Sequence, residues 1–383
     1  MPVSPFQARI GAGDKPPRQT LPKPAQIYLR PQGLIFEEAA REGVAAGWAL
    51  PLCGGAAAFT ACEIWRRDAD GSARAFLPAA DLAGWVDRQS GPLRAHAERL
   101  RDHLLTPPSW PAGLPRRRPL IMGVVNVTPD SFSDGGQFFE AGAAIELGLR
   151  LHAAGADIVD IGGESTRPGA AALDAEEEIR RVLPVVEALV RAGVLVSIDT
   201  RKAAVMGAAV AAGAGMINDI SALRHDPQSL EAAGARGVPV VLMHSQGEPA
   251  TMQVHPTYDM APLDVFDHLA ARVQAWTDAG FERSRLLVDP GIGFGKTAEH
   301  NLEILGQLGL YLGLGLPVLL GVSRKSFIGR IAGGAPPAER LPGSLAAALW
   351  GVAAGAAVLR VHDVAATQQA VAVWQALERQ ATA

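Results

Sequence analysis

Four residues of this chain, Asp199, Asn218, Asp289 and Lys325, follow short apolar runs ("VLVSID", "GMIND", "RLLVDP", "LPVLLGVSRK"). Together they offer acceptors, an amide and a cationic donor. That set suits the nitrogen edge of a flat heterocycle such as an amino-pyrimidine. A second set, Arg167, Arg360 and His362, suits phosphate. Arg360 and His362 lie two residues apart, and strand alternation would point them to one side. Bland readings stand beside these. Asp199 or Asp363 alone reads as a helix N-cap, and Arg360 alone as a rim ion pair. The run "DPGIGFGKT" imitates a nucleotide loop. A phosphate-binding loop, however, needs Gly where Pro290 stands. Its glycines read instead as a loop passing close to a ligand, and Phe294 as an aromatic wall or a core plug.

The elements that must position these residues are regular. Strand candidates are "PLIMGVVNV", "DIVDIG", "VLVSID", "GMIND", "VPVVLMH", "RLLVDP", "LPVLLGV" and "AAVLRV". Each precedes a segment of helical pattern, beginning after Gly136, Asp174, Thr200, Asp226, Asp259, Thr297, Ser326 and Asp363. Eight such pairs in roughly 265 residues predict a (β/α)8 barrel of the TIM type, whose chemistry sits at the C-terminal strand ends. The polar residues fall at those ends, from Asn126 on the first strand to Arg360 and His362 on the last. A doubly wound open sheet is the alternative. The count, and the lack of a strand-linked GxGxxG, favour the barrel.

The rest of the chain reads differently. Residues 1–24 are polar and Pro-rich and predict disorder. Residues 25–105 predict a small α/β appendage. Its strands are "AQIYLR" and "AAAFTACEIWRR", followed by a helix with Leu93, Ala97, Leu100 and Leu104 on one face. Residues 106–117 predict a Pro-rich linker, and residues 118–383 the catalytic domain. The 383 residues are 48% apolar, enough for a sizeable core, and 35 basic against 39 acidic side chains argue against a nucleic-acid partner. Two cysteines, Cys53 and Cys62, are too few for a disulfide framework or a zinc site. With no apolar signal core, a cytoplasmic setting fits. The uncharged runs Val44–Cys62 and Pro342–Leu359 are Ala/Gly-rich with Pro and Gly breaks, so they predict buried elements and no membrane span.

Read in order, "GVVNVTPDSFSDGG", "DIVDIGGESTRPGA", "SIDTRK", "INDIS", "MHSQGEPATMQ", "DPGIGFGKT", "GVSRKSFIG" and "GSLAAALWGVAAGAAVLRVHDV" resemble dihydropteroate synthase of the folate pathway. The resemblance runs from about residue 119 to 380. Ser245 departs from it, since the family often carries a larger residue there. The resemblance implies a pterin-binding (β/α)8 transferase. It would join 6-hydroxymethyl-7,8-dihydropterin pyrophosphate to 4-aminobenzoate, giving 7,8-dihydropteroate and pyrophosphate. It implies that Asp199, Asn218, Met243, Asp289 and Lys325 meet the pterin. Asn126, Thr166, Arg167, Arg360 and His362 would meet pyrophosphate, with Mg2+ held through Asn126 as sole protein ligand. Asn126, Arg167, Lys325, Arg360 and His362 would carry the catalytic work. Phe132, Pro168, Phe294 and Ser326 would wall the aminobenzoate. The two polar loops "NVTPDSFSDGG" and "ESTRPGAAAL" would act as lids, and a homodimer is expected.

Two rival readings remain at this point: a pterin-binding methyltransferase barrel, and an inactive pterin-binding scaffold. The first would not need the lid motifs or "SRKS". The second should have lost lid or phosphate groups.

Overall fold

Short apolar runs in this chain become the strands of two sheets, and the computed structural model describes residues 8–10, 26–68, 71–116, 119–127, 137–165 and 173–380. In the first part, β1 (Ala8–Ile10), β2 (Gln26–Phe36), α1 (Glu37–Ala45), β3 (Leu50–Pro51), β4 (Ala57–Asp68), β5 (Gly71–Pro78), α2 (Leu82–Asp87) and α3 (Gly91–Leu105) follow one another. The sheet runs β1-β5-β4-β2, with β3 also on β4, and every pair is antiparallel. Helix α3 buries Ala97, Leu100 and Leu104, as its spacing predicts. The short strand β1 lies inside the stretch expected to be disordered. It pairs with the open edge of β5, where unpaired N–H and C=O groups accept a further strand.

The second part alternates strand and helix. It begins β6 (Leu120–Asn126), α4 (Gln137–Ala153), β7 (Ile158–Gly162), α5 (Ala175–Arg191), β8 (Val196–Asp199), α6 (Ala203–Ala211), β9 (Met216–Asp219) and α7 (Ser229–Ala235). It continues β10 (Val240–Met243), α8 (Ala261–Asp278), β11 (Leu286–Asp289), α9 (Ala298–Gly306), β12 (Leu319–Leu320), α10 (Ser326–Ile331), α11 (Leu341–Ala353), β13 (Val358–Val361) and α12 (Val364–Gln380). The eight parallel strands take the order β11-β10-β9-β8-β7-β6-β13-β12. A parallel bridge between Val288 and Val318 closes the circle, and Val288 N donates to Pro317 O at 3.0 Å. The (β/α)8 expectation is borne out.

The barrel interior is layered by strand alternation. Its apolar layer contains Ile158, Met216, Val241, Leu287 and Val358, all buried. Two residues further along the same strands stand Asp160, Asn218, Met243, Asp289 and Arg360. Alternate residues share a face, so one step up the barrel turns a dry core into a polar floor. Leu114 is buried in the apolar layer with Trp110 packed against it, and Trp110 Nε1 donates to Leu114 O at 3.3 Å. The segment 109–116, expected as part of a linker, is therefore pinned to the barrel through Leu114 and Trp110, while most of its other residues stay exposed.

The described residues divide into two units. The bounds of the first are Met1–Pro108, Gly309–Gly315 and Gln375–Ala383; those of the second are Ser109–Leu308 and Leu316–Trp374. Within the first unit His103 Nδ1 lies 2.8 Å from Gly313 O.

Candidate active site

Strand register assembles the rim. Asn126 pairs with Gly162, Gly162 with Asp199, and Asp199 with Asn218. Gly162 leaves a gap in this row: a Cβ there would stand 3.6 Å from Asn126 Oδ1 and 3.8 Å from Asp199 Oδ2. Met243, buried at the end of β10, pairs with Asp289.

Arg360 joins the row to the polar floor. Its Nε donates to Asp160 Oδ2 at 2.7 Å, and its Nη2 to Asp199 Oδ2 at 2.7 Å. Asn218 Nδ2 donates to the same Asp160 oxygen at 3.1 Å. Asp160 is fully buried. It was passed over in the sequence, although an acid inside the apolar run "DIVDIG" was a visible signal. Burial pushes the Asp199 carboxyl up to about 7, against the pull of Arg360 and with Asp160 adding to the rise. Burial raises Asp289 as well, opposed by Lys325. A carboxyl titrating near neutrality can accept or donate a hydrogen bond to a ring nitrogen.

Lys325 and Phe294 meet over the floor. Lys325 Nζ donates to Ile292 O and lies 4.7 Å from the centre of the Phe294 ring. Burial lowers Lys325 to about 8, with Asp289 opposing. Phe294 is half-buried and faces this cation, so it does not plug the core. A cavity of about 240 Å³ opens beside it, lined among others by Arg201, Ser221, Arg224, Ser245 and Met252. Two of the three glycines of "DPGIGFGKT" lie against backbone, and the third, Gly293, faces the Lys325 side chain. At Gly291, with φ of 68°, a Cβ would fall 1.9 Å from His244 O; at Gly295, with φ of 61°, it would fall 2.3 Å from Gln246 O. The loop lies flush on the segment after β10, and only glycine permits that approach.

On the last two strands Arg324 holds a positive φ of 58°. Its Nε and Nη2 donate to Asp363 at 2.9 and 2.5 Å, and its N–H donates to Ser344 Oγ at 2.8 Å. His362 Nδ1 lies 3.1 Å from Ser323 Oγ. Although part of His362 stays exposed, desolvation at the rim and then the Arg360 and Arg324 cations hold its imidazole below the ordinary range. It is therefore a neutral donor or acceptor near pH 7. Arg360 and His362 do not converge as strand alternation suggests: Arg360 turns to the floor, while His362 lies just past β13 beside Ser323. Ser326 is exposed at the start of α10.

Glu164 anchors the second polar loop. Its Oε1 accepts from Leu173 N at 3.2 Å, and its Oε2 accepts from Arg201 at 3.2 Å and Lys202 at 3.1 Å. Burial alone would raise this carboxyl, but Arg201 and Lys202 outweigh it and hold it below the usual range. Arg201 also reaches Glu248 at 2.9 Å, and Lys202 reaches the buried Glu178. Phe132, Thr166, Arg167 and Pro168 lie outside the described residues.

A chain with this barrel and this polar floor matches, over residues 122–362, the family described as pterin binding enzyme. That span is more than half of the chain. The Haemophilus influenzae dihydropteroate synthase is 47% identical over 259 residues, covering 67% of this chain and 94% of the relative. The chain belongs to the dihydropteroate synthase family of pterin-binding enzymes. Solved members of the family agree in fold. Xanthomonas albilineans dihydropteroate synthase with 4-aminobenzoic acid superposes with a TM-score of 0.65 at 52% identity, covering 68% of this chain and 93% of that one. The same enzyme in complex with 7,8-dihydropteroate gives a TM-score of 0.64 at 49% identity, covering 69% and 95%. The family match begins at Met122, so the appendage of residues 26–105 falls outside it.

Proposed function

We infer that this protein is a dihydropteroate synthase, a transferase that condenses 6-hydroxymethyl-7,8-dihydropterin pyrophosphate with 4-aminobenzoate to give 7,8-dihydropteroate and pyrophosphate. The carrying observation is the convergence of Asp160, Asp199, Asn218, Asp289, Lys325 and Arg360 on one polar floor inside a barrel of this family. The floor offers both hydrogen-bond signs to the pterin edge, with Met243 as its apolar neighbour.

The reaction needs no covalent nucleophile. The amine lone pair of 4-aminobenzoate forms the new C–N bond, the C–O bond to pyrophosphate breaks, and one amine proton is released. Positive charge develops on the methylene and spreads into the pterin ring. Negative charge develops on the leaving group, where Arg167 and the neutral His362 donate hydrogen bonds, joined by Thr166, while Arg360, turned to the floor, adds its positive charge. Lys325 bridges the pterin side and the Phe294 wall. Phe294, Pro168 and Phe132 bound the aminobenzoate ring, and Ser326 meets its carboxylate.

Mg2+ is the expected cofactor. Among the described residues no cluster of three His, Cys, Asp or Glu side chains could hold a metal. The half-buried amide oxygen of Asn126, facing the gap over Gly162 near Asp199, fits a hard cation that takes one or two protein oxygens and substrate phosphates. Asn126 would hold it, and the ion would supply charge neutralisation to the departing pyrophosphate.

A homodimer is the proposed assembly. Leu302, Ile331 and Trp350 are exposed, on α9, α10 and α11, and Trp350 Nε1 donates to Leu305 O at 2.8 Å, which sets α11 beside α9. Clustered exposed apolar side chains mark association surfaces. The proposed location is cytoplasmic: two cysteines are too few for the disulfide framework of a secreted chain, and no described helix is long and apolar enough to cross a membrane.

The test is pyrophosphate release by the full chain with Mg2+ and both substrates, with dihydropteroate identified by mass. Release that does not require 4-aminobenzoate, or none at all, overturns the assignment.

A further inference from the structure

The lysine that makes "DPGIGFGKT" resemble a phosphate loop does not face a ligand. Lys296 is 3% exposed. Its Nζ donates to three carbonyl oxygens, Gly291 O at 2.8 Å, Phe294 O at 3.0 Å and His244 O at 3.4 Å, and lies 2.9 Å from His244 Nδ1; none of these partners is a carboxylate. An amine buried with no carboxylate in contact is costly; burial holds both Lys296 and its partner His244 well below their ordinary ranges, with Asp289 opposing the shift of Lys296 through space. An apolar side chain of similar length would avoid that cost, so the geometry of the head group is what the lysine contributes.

That geometry is specific. The two loop carbonyls it gathers, Gly291 O and Phe294 O, bracket Ile292 and Gly293. Ile292 O is the acceptor for Lys325 Nζ, and Phe294 carries the ring beneath that same cation. At the near end of the loop, Gly291 N donates to Asp289 Oδ1 at 2.7 Å. Three groups of the site therefore hang on one short arc. Other bonds hold its outer side: Asn301 Oδ1 accepts from Gly293 N at 2.7 Å, Gln253 Nε2 donates to Gly293 O at 2.7 Å, and Tyr258 donates to Gly295 O at 2.7 Å. Lys296 grips two of the arc's carbonyls at once and ties them to the segment after β10. Burial holds the His244 imidazole neutral, and its Nδ1 lies 2.9 Å from the amine.

We propose that Lys296 is a positioning residue for the second substrate: it fixes the arc Gly291–Phe294 against His244 and so sets the place of the Phe294 ring that bounds the aminobenzoate. The proposal rests on the reading of Phe294 as that wall, and it gives Lys296 no contact with either substrate.

The test is steady-state kinetics of the full chain for Lys296→Met, Phe294→Ala and the double variant. Lys296→Met is expected to raise the KM for 4-aminobenzoate by about tenfold while the KM for the pterin pyrophosphate stays within about threefold. In the Phe294→Ala background the same substitution is expected to add less than about twofold, because the pinned ring is gone. A lysine that only supports folding would lower the active fraction and leave both KM values in place. Lys296→Gln keeps two N–H donors on a neutral head; it is expected to give a smaller rise, and it is read by the same limits if the methionine variant does not fold. A folded Lys296 variant with unchanged aminobenzoate KM, beside a Phe294→Ala variant that raises it, overturns the pin. So does a full penalty added on top of Phe294→Ala. An unchanged KM in Phe294→Ala itself overturns the wall, and with it the proposal.

Discussion

Arg324 keeps a left-handed backbone while its guanidinium grips Asp363 through two hydrogen bonds, at 2.9 and 2.5 Å. A non-glycine residue in that conformation costs about 1 kcal/mol or more, and it persists only where its surroundings over-determine it. The strained residue immediately precedes Lys325, so the clamp aims a cation at the floor. Asp363→Ala is expected to let Arg324 relax and to lower kcat/KM for the pterin substrate by about tenfold, with less than about 1 kcal/mol lost from stability because the pair is partly exposed. Kinetics and thermal unfolding on one sample decide it. A stability loss with unchanged kcat/KM would assign the clamp to folding alone.

The pterin edge should be energetically concentrated. Asp199→Ala and Asp289→Ala each remove a buried hydrogen-bonding carboxyl, and each is expected to weaken binding of the pterin pyrophosphate by about 1–3 kcal/mol. Asp160→Ala should be at least as damaging, since it strands both Arg360 and Asn218. Titration calorimetry reads all three; unchanged affinity in the Asp199 and Asp289 variants together would remove the pterin from this floor.

Lys325 predicts an alkaline limb. Its amine, lowered to about 8 by burial, is charged below that pH and neutral above it. If the charged form serves the reaction, kcat/KM for the free enzyme should fall as pH rises through about 8. Lys325→Arg, which stays charged, should move this limb upward even where it lowers the rate. A limb at the same pH in that variant would point to another group.

His268 should mark the acid side. Burial lowers its imidazole to about 4, so between there and the ordinary histidine range the unfolded chain binds a proton that the native chain does not. Stability from this group is therefore present above about pH 6.5 and is lost as pH falls toward 4, by on the order of 3 kcal/mol in full. Denaturant unfolding from pH 7 to 4 should be less steep in pH for His268→Gln. An equal slope would place the acid sensitivity elsewhere.

Removing residues 1–108 tests the appendage. The second unit retains Trp110, Leu114 and every site group named above. A chain beginning at Ser109 is expected to release pyrophosphate at a similar rate per folded protomer. It should also be less stable, because Leu310, Tyr311, Leu312 and Leu314, now buried, belong to the first unit. Full pterin binding without turnover would give the appendage a part in the reaction.

The barrel was legible because each strand is a short apolar run followed by a helical pattern, and eight such repeats leave little choice of topology. The rim residues were legible because polar groups at strand ends are conspicuous. Asp160 stood out only as an acid in an apolar run, and its role is set by Arg360, 200 residues away in sequence. Strand β5 and helix α1 were missed for a related reason. "GSARAFLP" lacks the branched residues that mark strands, and the pairing that makes it one comes from β4. The burial of Leu114 also depends on distant strands, so composition alone reads its segment as linker.

The first unit gathers residues from three separate stretches of the chain, one of them lying between β11 and β12. During synthesis its first stretch is complete, at Pro108, about 200 residues before Gly309 is made. At ordinary elongation rates that is a wait of about 10–40 s. Through that interval the faces that later cover Tyr311 stay open. The appendage, although translated before the barrel, is therefore among the last of the described parts to be finished, and a nascent chain halted before Gly309 should remain a client for chaperones.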